Sequence, residues 1–183
     1  MRISFIAVQS INGFITRRDK PGAGFASRDD SNWFAGFLKR MDVVLMGRRT
    51  YEASRAFIRG RAAEGPPRWV FTHDPDRFHE DRIPGNLEFL RLDKVSFLEA
   101  VADKGFTRIA LCGGPGLSSW FFDHALVDDL YLTIEPLLFT SGTPLLRPAR
   151  EIACTLQSVR SLSPQTLLLH YRIASTEGAC RNE

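Results

Sequence analysis

The sequence predicts an α/β protein: a mixed, mostly parallel sheet with antiparallel strands added towards the C-terminus. Three observations carry this. Through the first two thirds of the chain, short apolar runs of strand length alternate with segments of helical period. Twice, such a run ends in glycine and a helical segment follows at once, at Met46-Gly47-Arg48 and at Cys112-Gly113-Gly114-Pro115-Gly116. In the last third the helices thin out, and Leu130-Tyr131-Leu132-Thr133-Ile134 alternates with period two, as antiparallel strands do.

The elements follow in order. Ile3 to Gln9 reads as a buried strand and Ser10 to Arg28 as a long loop holding Gly13, Pro21, Gly22 and Gly24. Asp29 or Asp30 is placed to N-cap a helix through Lys39, because a carboxylate accepts the free N–H groups of a first turn. Trp33, Phe34, Phe37, Leu38 and Met41 recur along that helix at helical spacing. Asp42 to Met46 is a short strand broken by Gly47, and Arg48 to Phe57 reads as helix. A flexible stretch is expected over Arg59 to Pro67, then a strand at Trp69-Val70-Phe71, a loop from Asp74 to Asn86 and a strand from Leu87 to Leu90. Ser96 is placed to cap a helix through Lys104. Arg108 to Leu111 is a strand, and Leu117 to His124 is helical beyond the glycine turn. Asp129 to Ile134, Thr155 to Arg160 and Thr166 to Ile173 complete the sheet.

Bulk composition narrows the function. The chain of 183 residues fits one domain, expected over 1–174, with a disordered polar tail over 175–183. No apolar run approaches the ~20 residues that span a membrane, and Met1 to Val8 lacks the pattern of a signal peptide. The net charge is +3, yet the arginines are scattered, in small groups such as Arg59-Gly60-Arg61. Nucleic-acid binding would call for a basic stripe interleaved with aromatics, so no nucleic-acid partner is expected. Cys112, Cys154 and Cys180 form no metal-ligand spacing, so no metal is expected. Their odd, sparse count suits a reducing cytoplasm. Cys112 reads as a small buried filler rather than a nucleophile.

Three constellations can carry chemistry. At Gly113-Gly114-Pro115-Gly116-Leu117, glycines let backbone approach an anion without Cβ clashes, and the helix that follows offers free N–H groups and a positive dipole end. The turn satisfies neither the dinucleotide fingerprint, since Ser119 takes the third glycine's place, nor the P-loop. A tight strand–helix corner is the alternative. At Gly47-Arg48-Arg49-Thr50 two guanidinium groups and a hydroxyl follow a strand end, suited to clamping a phosphate, or else solvated. At Asp29-Asp30-Ser31-Asn32-Trp33-Phe34 an acid opens a helix. It is a cap, or a half-buried carboxylate beside Trp33 able to relay a proton.

Taken in order, these pieces resemble the dihydrofolate reductase-like fold, a three-layer α/β/α arrangement. Within it they resemble the riboflavin-biosynthesis branch, the reductase domain that follows a deaminase in bifunctional enzymes. The resemblance runs from about Ile3 to Ile173. Gln9-Ser10-Ile11-Asn12-Gly13-Phe14-Ile15 is similar to the family's Ser-x-Asp-Gly-x-Ile loop. Asp42 to Glu52 is similar to its second strand and cofactor helix, and Cys112 to Leu117 to its Gly-Gly phosphate turn. Leu126-Val127-Asp128-Asp129-Leu130 resembles its Leu-Val-Asp-Glu-Leu segment, and Pro136, Gly142 and Leu145-Leu146 its Pro…Gly-x-x-Leu-Phe ending.

The resemblance implies NADPH as cofactor. Gly113, Gly114, Pro115, Gly116 and Leu117 would line its pyrophosphate; Gly47, Arg48, Arg49 and Thr50 would hold the adenosine side, with Thr72 a third contact there. Ala7 and Ile15 would bracket the nicotinamide. The implied activity is reduction of a pyrimidine of the 5-amino-6-(5-phosphoribosylamino)uracil type, with dihydrofolate or another pterin as the alternative. A non-catalytic NADPH-binding module is a further alternative. Without a deaminase zinc motif the chain is at most the reductase half, and family members commonly pair as homodimers.

Two positions depart from the riboflavin pattern. Asn12 replaces an Asp, and Cys112 stands where those reductases often carry Glu. Asp30-Ser31-Asn32-Trp33-Phe34 instead resembles the Asp-x-x-Trp-Phe of true dihydrofolate reductases, where the Asp holds the pterin, although the spacing to Gly47 differs by one residue. The candidate catalytic groups are therefore Asp30, Asn12 and Glu135, the last either facing the cleft or a strand-end surface charge.

Overall fold

A computed structural model describes residues 1–18 and 20–174; the expected tail, with Cys180, lies outside the described residues. The elements run β1 (Arg2–Ser10), α1 (Arg28–Leu38), β2 (Val43–Gly47), α2 (Arg48–Ala53), α3 (Arg55–Gly60), β3 (Arg68–Phe71), a 3-10 turn (Asp76–Phe78), β4 (Leu87–Leu90), α4 (Lys94–Asp103), β5 (Arg108–Leu111), α5 (Pro115–Asp123), β6 (Asp129–Glu135), β7 (Cys154–Ser161) and β8 (Leu167–Ile173). The strands form one eight-stranded sheet in the order β4-β3-β2-β5-β1-β6-β8-β7. β1 to β6 are parallel; β8 and β7 are antiparallel additions.

Side chains alternate between the faces of a strand, and the buried strands use both. Ile3, Phe5, Leu45, Ile109 and Leu111 pack on one face against Phe97, Val101, Phe121 and Phe122 of α4 and α5. Ile6, Val44, Met46 and Ala110 pack on the other against Phe37, Tyr51 and Ile58 of α1, α2 and α3. The result is three layers. The helix leaving β1 covers one face and the helix leaving β5 the other, so the carboxyl ends of these two adjacent strands form a topological switch point. Open α/β sheets bind ligands at such a point.

Several boundaries move, each for a local reason. Ser27, not Asp29 or Asp30, caps α1: its backbone is extended and its hydroxyl accepts from Asp30 N at 3.2 Å. Asp93, not Ser96, caps α4, with Asp93 Oδ1 accepting from Ser96 N at 2.8 Å. The helix expected over Arg48 to Phe57 is two helices broken at Ser54, and the second runs on to Gly60, into the stretch expected to be flexible. α5 starts at Pro115, whose fixed φ and missing N–H suit a first helical position.

The long loop after β1 is docked rather than free. Ile11 N donates to Leu137 O, Ile15 N to Thr143 O and Arg18 N to Ser141 O, all at 2.8–2.9 Å. Gly142 makes this possible, because a Cβ there would sit 2.1 Å from Thr16 O and 2.9 Å from Phe14 Cβ.

Candidate functional site

The two glycine motifs meet. β2 and β5 are hydrogen-bonded neighbours, so their carboxyl ends lie side by side. Gly47 N donates to Gly113 O at 2.9 Å, and Gly114 N donates to Thr50 Oγ1 at 2.9 Å. Leu117, in the first turn of α5, lies 3.6 Å from where a Gly47 Cβ would be. The Thr50 hydroxyl, expected on the adenosine side, thus holds the glycine turn itself.

The turn has the features of an anion seat. Gly113 has φ +89°, which glycine adopts without strain, and the space above it and above Gly116 is open to 4 Å. Pro115 has no N–H to satisfy, whereas Gly116 and Leu117 present first-turn N–H groups without partners among the described residues. Arg48 and Arg49 open α2 beside this seat. Arg48 is loosely paired with Glu52 at 3.8 Å, and Arg49 is exposed without an ion pair among the described residues. Thr72, buried at the carboxyl end of β3, follows Phe71, which is in register with Gly47. A phosphate-bearing dinucleotide fits these donors.

A second cluster lies across β1. Asp30 is 7% exposed and sits beside Thr133 and Glu135 of β6. Burial raises its pKa, the Glu135 charge raises it further, and the Thr133 hydroxyl opposes both. Thr133 Oγ1 is buried with no hydrogen bond of ordinary geometry among the described residues. Glu135 is 2% exposed, not a surface charge. Its Oε1 accepts from Ser27 N at 2.8 Å and its Oε2 from Thr166 Oγ1 at 3.0 Å. It therefore fixes the start of α1, and with it Asp30. The carboxyl ends of β5 and β6 are separated only by β1, two strand spacings or ~10 Å.

The other expected residues divide. Ala7 lies on β1 between the clusters, half-buried, in register with Leu132. Ile15 lies on the docked loop. Asn12 clamps that loop: Oδ1 accepts from Ser10 Oγ at 2.8 Å and Phe139 N at 3.1 Å, and Nδ2 donates to Phe139 O at 2.7 Å. Cys112 packs against the core, and burial pushes its thiol up to about 12, so it stays protonated at neutral pH. Thr133, Ser27 and Thr166 were not singled out from sequence. The local pattern does not mark Thr133, which shares the phase of Tyr131, opposite Leu130 and Leu132.

Residues 3–168 match the family model of the RibD C-terminal domain. The uncharacterized protein YwjB of Bacillus subtilis (strain 168) is 25% identical over 175 residues, 92% of this chain and 95% of that protein. A pyrimidine reductase-like protein from Corynebacterium diphtheriae superposes with a TM-score of 0.76 at 16% identity, over 94% of this chain and 92% of that one. Dihydrofolate reductase from Enterococcus faecalis, complexed with NADP(H), superposes with a TM-score of 0.65 at 17% identity, over 94% and 96%. The fold is thus dihydrofolate reductase-like.

Proposed function

The chain belongs to the RibD C-terminal domain family, and from that premise we propose that it is an NADPH-dependent reductase of the riboflavin-pathway type. Its substrate would be a pyrimidine like 5-amino-6-(5-phosphoribosylamino)uracil. The observation that carries the reading is the joining of Gly47, Thr50, Gly113 and Gly114 into one crevice wall. Bound NADPH would supply a hydride to a C=N or C=O group. The N–H groups of Gly116 and Leu117 and the positive end of α5 hold the pyrophosphate, and Gly113 lets it approach. Arg48 and Arg49 take the 2′-phosphate, where a guanidinium fork suits a phosphate; Thr72 lies on the adenosine side. Ala7 and Ile15 flank the nicotinamide. Asp30 binds the substrate ring and delivers its proton, poised by burial beside Glu135.

A second reading, dihydrofolate or another pterin as substrate, is favoured by the buried Asp30 at the start of α1. The test is to mix the protein with NADPH and each substrate in turn and follow NADPH absorbance. Oxidation with the pyrimidine supports the first reading, and oxidation with dihydrofolate alone the second. Binding without turnover leaves a non-catalytic NADPH-binding module.

The same reading makes the protein a cytoplasmic homodimer. The edge strand β7 is exposed along its whole length, and register places Leu156 and Val159 on one face with Leu167 of β8. These side chains are 51%, 56% and 40% exposed, an apolar patch of the kind that marks a contact surface.

A further inference from the structure

At the amino ends of the strands, on the α1 side of the sheet, a cavity of about 470 Å³ opens between the end of α1 and the β6-β8-β7 edge. That is a small-ligand volume. Arg2, Arg40, Arg108 and Arg160 line it, and among the described residues no carboxylate does. Arg2 is held by Asp129 at 2.9 Å and Arg108 by Asp42 at 2.8 Å. Arg40 and Arg160 have no carboxylate partner among the described residues. Arg40 instead lies over the Phe37 ring at 5.2 Å. The wall is aromatic: Trp33 leans on Tyr131, and Tyr131 stacks on His170 at 4.2 Å.

We propose that this cavity binds a phosphorylated small molecule of about mononucleotide size, at a site separate from the glycine crevice. Arg108 and Gly113 are five residues apart along β5 and its exit, about 16 Å in extended chain, so one ligand phosphate does not serve both. Guanidinium forks match phosphate oxygens, and two that lack a carboxylate partner among the described residues, flanking an aromatic wall, leave a positive field that an anion relieves. The two faces of the β7-β8 edge differ in kind: one carries Leu156, Val159 and Leu167, the other Ser158, Arg160 and His170. A second copy of the chain suits the apolar face. A twofold contact through the basic face would set these arginines against their own copies. The site owes nothing to the cofactor reading and stands or falls without it.

The test follows the indole N–H resonances of the three tryptophans while inorganic pyrophosphate is titrated into the full chain at constant ionic strength. Trp33 lines the cavity; Trp69 and Trp120 do not. The expected result is a saturable shift of Trp33, at least tenfold tighter than its response to chloride, and weakened at least tenfold by Arg40→Gln with Arg160→Gln. Unshifted Trp69 and Trp120 resonances in that variant show an intact fold. If they collapse, Arg160→Gln alone, on the exposed strand, is read in its place. The site is overturned if Trp33 does not respond at millimolar pyrophosphate, responds equally to chloride, or ignores the arginine substitutions.

Discussion

Thr50→Val puts the join between the two glycine motifs to a direct test. Valine keeps the shape of threonine and removes only the oxygen that accepts from Gly114 N at 2.9 Å. The Gly114 N–H is then left half-buried against a methyl group. A neutral hydrogen bond contributes about 1 kcal/mol net, and an orphaned buried donor costs about 1–3 kcal/mol. For a domain of this size each kcal/mol moves Tm by about 2–4 °C, so a fall of roughly 2–12 °C is expected in a thermal melt. On the proposed function the loosened turn also binds NADPH about tenfold more weakly, equivalent to about 1.4 kcal/mol. Thr50→Ser restores the acceptor and should recover most of both losses. A valine variant that melts and binds like the parent, or a serine variant no better than valine, refutes the account of the join.

Four further outcomes are expected. On the proposed function Asp30→Asn should lower turnover by about 10²–10⁴-fold, the usual share of a positioned acid, while raising Tm at pH 8. The sign follows from burial: the folded state holds the Asp30 proton above the pH at which the unfolded chain loses it, so stability is full below the ordinary carboxyl range and declines as pH rises through the folded value. The gap between parent and variant should close on acidification, and melts at several pH values read it. Asp81 behaves oppositely. Arg55 holds its carboxyl low, helped by Tyr51, whose OH donates at 2.8 Å, and by Arg59 at 3.0 Å. Asp81→Asn should cost about 1–3 kcal/mol at neutral pH, and the difference should vanish as pH falls through the depressed native value, in denaturant titrations at each pH. Gly142→Ala must displace Thr16 O and Phe14, at about 1–3 kcal/mol, and amide exchange at Ile15 and Arg18 should quicken. Leu156→Glu with Val159→Glu should turn the proposed dimer into monomer in sedimentation.

The sequence made the fold legible because its signals were local. Apolar runs of strand length, glycine after a strand, and period two in Leu130 to Ile134 each reflect a backbone demand that neighbours in sequence already reveal. Contacts between distant residues were not legible. That Thr50 reaches Gly114, or Glu135 reaches Ser27 and Thr166, depends on β2 lying beside β5 and on β6 lying between β1 and β8. The cap of α1 misled for a related reason. Asp29 and Asp30 are good cap residues, but Asp30 is spent inside the fold, and Ser27 caps in its place. That Asn12 clamps its loop was hidden because its partner Phe139 lies 127 positions away.

The crevice formed by Gly47, Arg48, Thr50 and the Gly113–Leu117 turn is the proposed seat for NADPH. Thermal melts with increasing NADPH and, in parallel, NADH test it most directly. A ligand at a hundred times its Kd stabilises the fold by about 2.7 kcal/mol, so Tm should rise by roughly 5–11 °C. On the proposed function NADPH should act at least tenfold below the NADH concentration, because Arg48 and Arg49 would hold the 2′-phosphate. No rise in Tm at millimolar NADPH would contradict the account.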